Sequence, residues 1–173
     1  MKRVIQYAVA LVAAVFGHLV ATRLFPEWPL VVDLMLIVVI FHALEGNTLA
    51  GMLGGLVAGW ASDALVGPAF GLFGVVDTII GYGAAYAVQR IVIQRAAGAA
   101  LFFALAAIGQ QALLLVLSMV VLSSPELPGY HWILFKAAAT GVAGAMIFFL
   151  RQRLLNRVDV WRRTRRTRIR LDS

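Results

Sequence analysis

Apolar residues run through this chain in long blocks and seldom alternate with polar ones. Six blocks reach or approach the about 20 residues that an α-helix needs to cross a hydrocarbon core of about 30 Å. They cover approximately Val4–Thr22, Trp28–Leu44, Thr48–Val66, Phe70–Val88, Ala97–Leu122 and Trp132–Leu150. The breaks between them are short and polar or turn-forming. Glu45-Gly46-Asn47 joins the second block to the third, and Gly67-Pro68-Ala69 joins the third to the fourth. A Gly-Pro turn of that length suits two antiparallel neighbours. The fifth block is long enough to cross with tilt. The pattern predicts an all-α integral membrane protein: a six-helix transmembrane bundle over residues 1–150, then a basic amphipathic tail over 151–173. No connection is long enough to hold a separate soluble domain.

Composition points the same way. The chain has 173 residues, 62% hydrophobic and 13% charged. A soluble domain averages about 45–50% apolar and about 25% charged. There is no cysteine, which removes disulfides and thiolate metal or redox chemistry. The start, MKRVIQYAVALVAAVFGHLVAT, has the basic opening of a signal peptide. Its apolar run exceeds the roughly 7–15 residues of such a segment, and Arg23 follows in place of a small-residue cleavage site, so a retained first span is expected.

The net charge of +7 is concentrated at one end. Nine of the fifteen basic residues are Arg151, Arg153, Arg157, Arg162, Arg163, Arg165, Arg166, Arg168 and Arg170. With six spans, one face of the membrane carries these nine plus Lys2, Arg3, Arg90 and Arg95, thirteen in all; the other carries Arg23 and Lys136. Basic residues in short loops stay on the cytoplasmic side. Both termini are therefore expected in the cytoplasm.

Four ionisable residues fall inside spans: Asp33, Asp63, Asp77 and Lys136. A charge at mid-bilayer costs about 2.5–3.5 kcal/mol on insertion scales. Counted from the outer ends of their spans, all four lie at depths of roughly 6–10 Å. The topology thus gathers them into one outer polar layer. Two readings follow: a polar pocket open to the outer face for a partner or small ligand, or internal pairing of Lys136 with one acid, helped by snorkelling.

Glycines recur at steps of four in the third block. Gly51, Gly55 and Gly59 are followed in the same series by Asp63, Gly67 and Gly71. Small residues at this spacing let a second helix approach closely. The ridge either seats another helix of the same chain or forms a docking surface for a partner's membrane helix. In the fourth block Gly74, Asp77 and Gly81 repeat the arrangement, so these two helices are expected to pack together.

His18 and His42 fall near opposite faces and cannot share a metal ion. Gln110 and Gln111 lie mid-span, where interhelical hydrogen bonds are their usual role. No Ser–His–Asp set, zinc-protease motif, phosphate loop or dinucleotide fingerprint is present, so neither catalysis nor a metal or cofactor is expected. In the tail, Leu154, Leu155, Val158 and Trp161 share one helical face among arginines. That pattern predicts a helix lying on anionic lipid. The run RRTRRTRIR also fits nucleic acid, but it lacks interleaved aromatics and is tethered at a membrane. No nucleic acid is expected; a cytoplasmic protein contact is the second reading.

The segment Gly55-x3-Gly59-x3-Asp63-x3-Gly67-x3-Gly71 between two apolar helices resembles the most recognisable signature of the MreD family of bacterial rod-shape-determining membrane proteins. The length, the entry Phe25-Pro26-Glu27-Trp28-Pro29 and the basic C-terminus are similar too. The resemblance implies a non-catalytic subunit of the cell-elongation complex, required for cell shape and lateral peptidoglycan synthesis. It implies MreC as direct partner, with MreB, RodA and a class B penicillin-binding protein reached through it. On this reading the glycine ridge would seat MreC's membrane helix, and the outer polar layer would meet the segment beside it. The family is also thought to resemble the substrate-binding subunits of energy-coupling-factor vitamin transporters, whose docking motif is similar to Ala10-x3-Ala14. A subunit of a small-molecule transporter is therefore the alternative function.

Overall fold

The computed structural model describes residues 2–66, 71–91, 96–121 and 129–171. Over these residues the chain is all helix, with no strand. In order the helices are α1 (Lys2–Leu24), α2 (Trp28–Val31), α3 (Leu34–Ala43), α4 (Thr48–Val66), α5 (Leu72–Val88), α6 (Ala96–Val121) and α7 (Tyr130–Leu171). Four segments are long and apolar enough to cross a membrane: Val4–Leu24, Thr48–Val66, Ala97–Val121 and Tyr130–Arg153. Apolar side chains cover much of the outer surface, among them Val9, Phe16, Leu53, Leu101, Leu105 and Met146. In water that exposure would drive association; in lipid it is the expected surface. The chain is a multi-pass membrane protein.

The helices alternate in direction. Gln6 near the start of α1, Glu45 after α3 and Arg151 of α7 line one groove. His18 late in α1, Val66 at the end of α4, Phe73 at the start of α5 and Lys136 early in α7 line a cavity at the opposite end. The first and last spans therefore begin and end at the same face of the bundle, which is called here the terminal face.

At the centre lies α3. Its sequence, LMLIVVIFHA, is apolar on every side, as a helix surrounded by others must be. Met35, Leu36, Ile37, Val39, Ile40 and Ala43 are all buried. Leu36 and Ile40 pack with Phe103 and Ala107 of α6 and Ala137 of α7. Met35 and Val39 turn the other way, against Ala58 of α4 and Leu11 of α1.

The second predicted span is not continuous. It breaks between α2 and α3, where Val32 and Asp33 take extended backbone angles. The groups freed by the break find partners. The Asp33 side chain accepts from the Leu36 N–H at 2.9 Å, capping α3, and the Asp33 N–H donates to Thr140 Oγ1 at 3.2 Å. Irregular backbone survives at membrane depth only where protein satisfies it in this way. Helix α7 leaves the sixth span without interruption and continues as one helix to Leu171. The side chains of Arg157, Arg162, Arg163, Arg165 and Arg166 lie outside the described residues, as do Gly67 and the rest of the Gly67-Pro68-Ala69 turn.

Candidate functional site

The glycine ridge is occupied by the chain's own α5. A Cβ on Gly55 would collide with the backbone carbonyl of Asp77. One on Gly59 would meet the Phe73 carbonyl and lie 2.6 Å from the Gly74 Cα. At the other end Gly51 and Gly81 face each other, each closing on the other's carbonyl oxygen. The two backbones touch at three levels, a separation that any side chain would forbid. The docking of a partner's helix expected at Gly51, Gly55 and Gly59 is therefore corrected: the ridge is an intramolecular seam, and a partner would have to displace α5 to reach it. The packing of this helix on its successor through Gly74, Asp77 and Gly81 is as expected.

Asp63 ends the seam. Its Oδ1 accepts from the Phe73 N–H at 2.9 Å, and its Oδ2 from the N–H groups of Gly71 and Gly74 at 3.0 Å each. The first N–H groups of a helix lack partners within it and carry a partial positive charge. One carboxylate from α4 thus neutralises the start of α5, although it lies eight residues before the N-cap. Gly71, the N-cap, holds φ at 104°, a left-handed conformation that glycine adopts without strain. Among the described residues nothing lies within 4 Å of where its Cβ would stand, and the backbone conformation selects glycine there. Gly71 thus belongs to a cap, not to a docking ridge.

Asp77 has its own partner. It is fully buried, and its Oδ1 accepts from Gln110 Nε2 of α6 at 2.7 Å. Among the described residues Asp77 Oδ2 and Gln110 Oε1 have no hydrogen-bond partner. Both leftover atoms are acceptors, so the site lacks one donor. An interhelical bond was expected of Gln110; nothing in its spacing pointed to Asp77, 33 residues away.

Asp33 and Lys136 form the remaining pair, with Nζ 3.4 Å from Oδ2. Both side chains are largely buried. Taking two charges out of water offsets most of their attraction, but removing one partner from such a pair costs about 3–5 kcal/mol. The outer polar layer therefore divides. Asp33 and Lys136 come together, as the internal-pairing reading has it, while Asp63 and Asp77 are bonded elsewhere.

The pair lines a cavity of about 190 Å³, with His18, Ser62 and Gln111 as its other polar walls and Met35, Leu65 and Phe73 among the apolar ones. His18 and Gln111 reach this place from helices that sequence spacing alone does not relate. His42 lies at the opposite end, its ring 4.5 Å from that of Tyr7, so the two histidines are separated as predicted. Tyr7 donates to the Gly54 carbonyl and ties α1 to α4. Thr140, one helical turn from Lys136, was not anticipated as the partner of the α2–α3 break. Among the described residues no group of three or more His, Cys, Asp or Glu is placed to hold a metal ion.

No curated protein and no solved structure matched the chain. A family did: rod shape-determining protein MreD, over residues 1–155.

Proposed function

The chain belongs to the MreD family of rod shape-determining membrane proteins, and from that premise we propose that it is a non-catalytic subunit of the bacterial cell-elongation complex. It acts by binding MreC in the inner membrane and so supports lateral peptidoglycan synthesis, with MreB, RodA and a class B penicillin-binding protein engaged through MreC. The observation that carries this reading is the family match over nine-tenths of the chain. The charge distribution supports a cytoplasmic location for both termini, since thirteen basic residues then stay inside. Arg151, Arg153, Arg157, Arg162, Arg163, Arg165 and Arg166 would then face the anionic cytoplasmic leaflet.

MreC contact is assigned to the outer end of the bundle. The Asp33–Lys136 cavity opens there, and it offers a cation, an anion and an imidazole to the segment that follows MreC's membrane helix. The seam at Gly55 and Gly59 supports that contact indirectly, by holding α4 and α5 in place. The transporter alternative fits less well. Small-molecule sites measure about 300–1,000 Å³, and this cavity is about 190 Å³.

Affinity capture of the tagged full-length chain from native membranes tests the proposal. MreC is expected in the eluate, and Lys136→Met with Asp33→Asn is expected to weaken its capture severalfold at unchanged abundance. Capture without MreC, or with an ATPase-type transporter module in its place, would overturn it.

A further inference from the structure

A second recess lies at the terminal face, and it has the dimensions of one membrane leaflet. Its floor is α3, from Leu34 to Phe41. One wall is α1, kept low by Ala10, Ala13 and Ala14; the other is α7 at Ile147. Its volume is about 570 Å³. Helix α3 itself, from Leu34 to Ala43, rises roughly 14 Å at 1.5 Å per residue. That is about half of a hydrocarbon core of about 30 Å.

Beyond Leu34 the groove stops, because α2 packs against both α1 and α7 and bridges the two walls. The broken second span creates this stop: α2 is set off from α3 at Val32 and Asp33. A partner's spanning helix needs an open path through the full membrane, about 20 residues long. A lipid tail needs only one leaflet.

The open end is polar. Gln6, Tyr7, His42 and the carboxylate of Glu45 stand there, and Arg151 leans over the floor with its Cζ 5.9 Å from the Phe41 ring centre. A guanidinium at the level of lipid headgroups offers two parallel N–H donors to a phosphate. An apolar trough one leaflet deep, ending at an arginine, has the chemistry of a phospholipid.

We propose that the groove between α1, α3 and α7 binds one phospholipid of the leaflet at the terminal face, with an acyl chain along α3 and the phosphate on Arg151. The site is independent of the MreC reading, and each can fail without the other.

The test is the phospholipid retained by the full-length protein after purification in mild detergent, measured by native mass spectrometry. Delipidated protein is then titrated with phosphatidylglycerol. One bound lipid per chain is expected. Arg151→Glu should lower affinity about tenfold, and Ala14→Trp, which fills the trough from the α1 wall, should abolish retention. Arg90, whose guanidinium lies over Tyr86 of α5 and outside the groove, supplies the control: Arg90→Glu should retain lipid as the wild type does. Equal retention by Arg151→Glu and the wild type would overturn the proposal. So would an Ala14→Trp protein that keeps its lipid but loses MreC, since the groove would then seat a helix.

Discussion

Asp77 illustrates how a buried acid can be read from its partners. It has one donor, Gln110, and the two atoms left over are both acceptors. A buried polar atom without a partner costs about 1–3 kcal/mol. Asparagine in place of Asp77 would bring one N–H₂ group to a site short of a donor, and it would carry no charge. Asp77→Asn is therefore expected to leave the thermal midpoint in detergent unchanged or to raise it, and a clear fall would contradict this account of the pair. Gln110→Leu removes the donor and should destabilise by about 1–3 kcal/mol. Asp63 is a different case, since its three backbone donors already satisfy it. The two acids look alike in the sequence, each set in an apolar block with one hydroxyl residue, Ser62 or Thr78, beside it. What separates them is the end of the helix, where free N–H groups exist, and the middle, where they do not.

The α4–α5 pair is the element that the glycine series builds. Gly55→Ala pushes a methyl into the Asp77 carbonyl, a backbone atom that cannot move aside. Overpacking of this kind costs about 1–3 kcal/mol. Gly83 of α5 has nothing within 4 Å of its absent Cβ, and Ala is favoured over Gly inside a helix by up to about 1 kcal/mol. Gly83→Ala should therefore hold or raise the unfolding temperature, and Gly55→Ala should lower it by several degrees. Equal effects would show that the seam is not in contact. Helix ends were largely legible in the hydropathy: the span predicted at Thr48–Val66 is α4, residue for residue. The break at Asp33 was not, because Leu30, Val31, Val32 and Leu34 around it are apolar and a window averages across the one polar residue. Its cause lies on α7, at Lys136 and Thr140, and pairing over a hundred residues leaves no local trace. The seam was visible as glycine spacing, but the choice between a partner's helix and the chain's own depended on which helix lies alongside. The tail's one-sided apolar pattern suggests a helix that leaves the sixth span and lies on the membrane surface. Continuity of α7 follows from the absence of any glycine or proline between Gly144 and Leu171, a signal present in the sequence.

At the scale of the molecule the bundle has two different ends. The terminal end carries the lateral groove, Tyr7, His42 and Arg151. The opposite end carries the Asp33–Lys136 cavity and the capped start of α5. Between them α3 is buried on all but its Leu34–Val38–Phe41 face, which floors the groove, so the two ends are joined through one apolar core. Under the proposed function, this division would let one end meet an outer partner while the other faces the cytoplasm. The most direct test is depletion of the protein in its host, with cell dimensions followed by microscopy over successive divisions. The account predicts that rods widen and round up, with no single-vitamin requirement. Cells that keep their shape but lose uptake of one vitamin would contradict it.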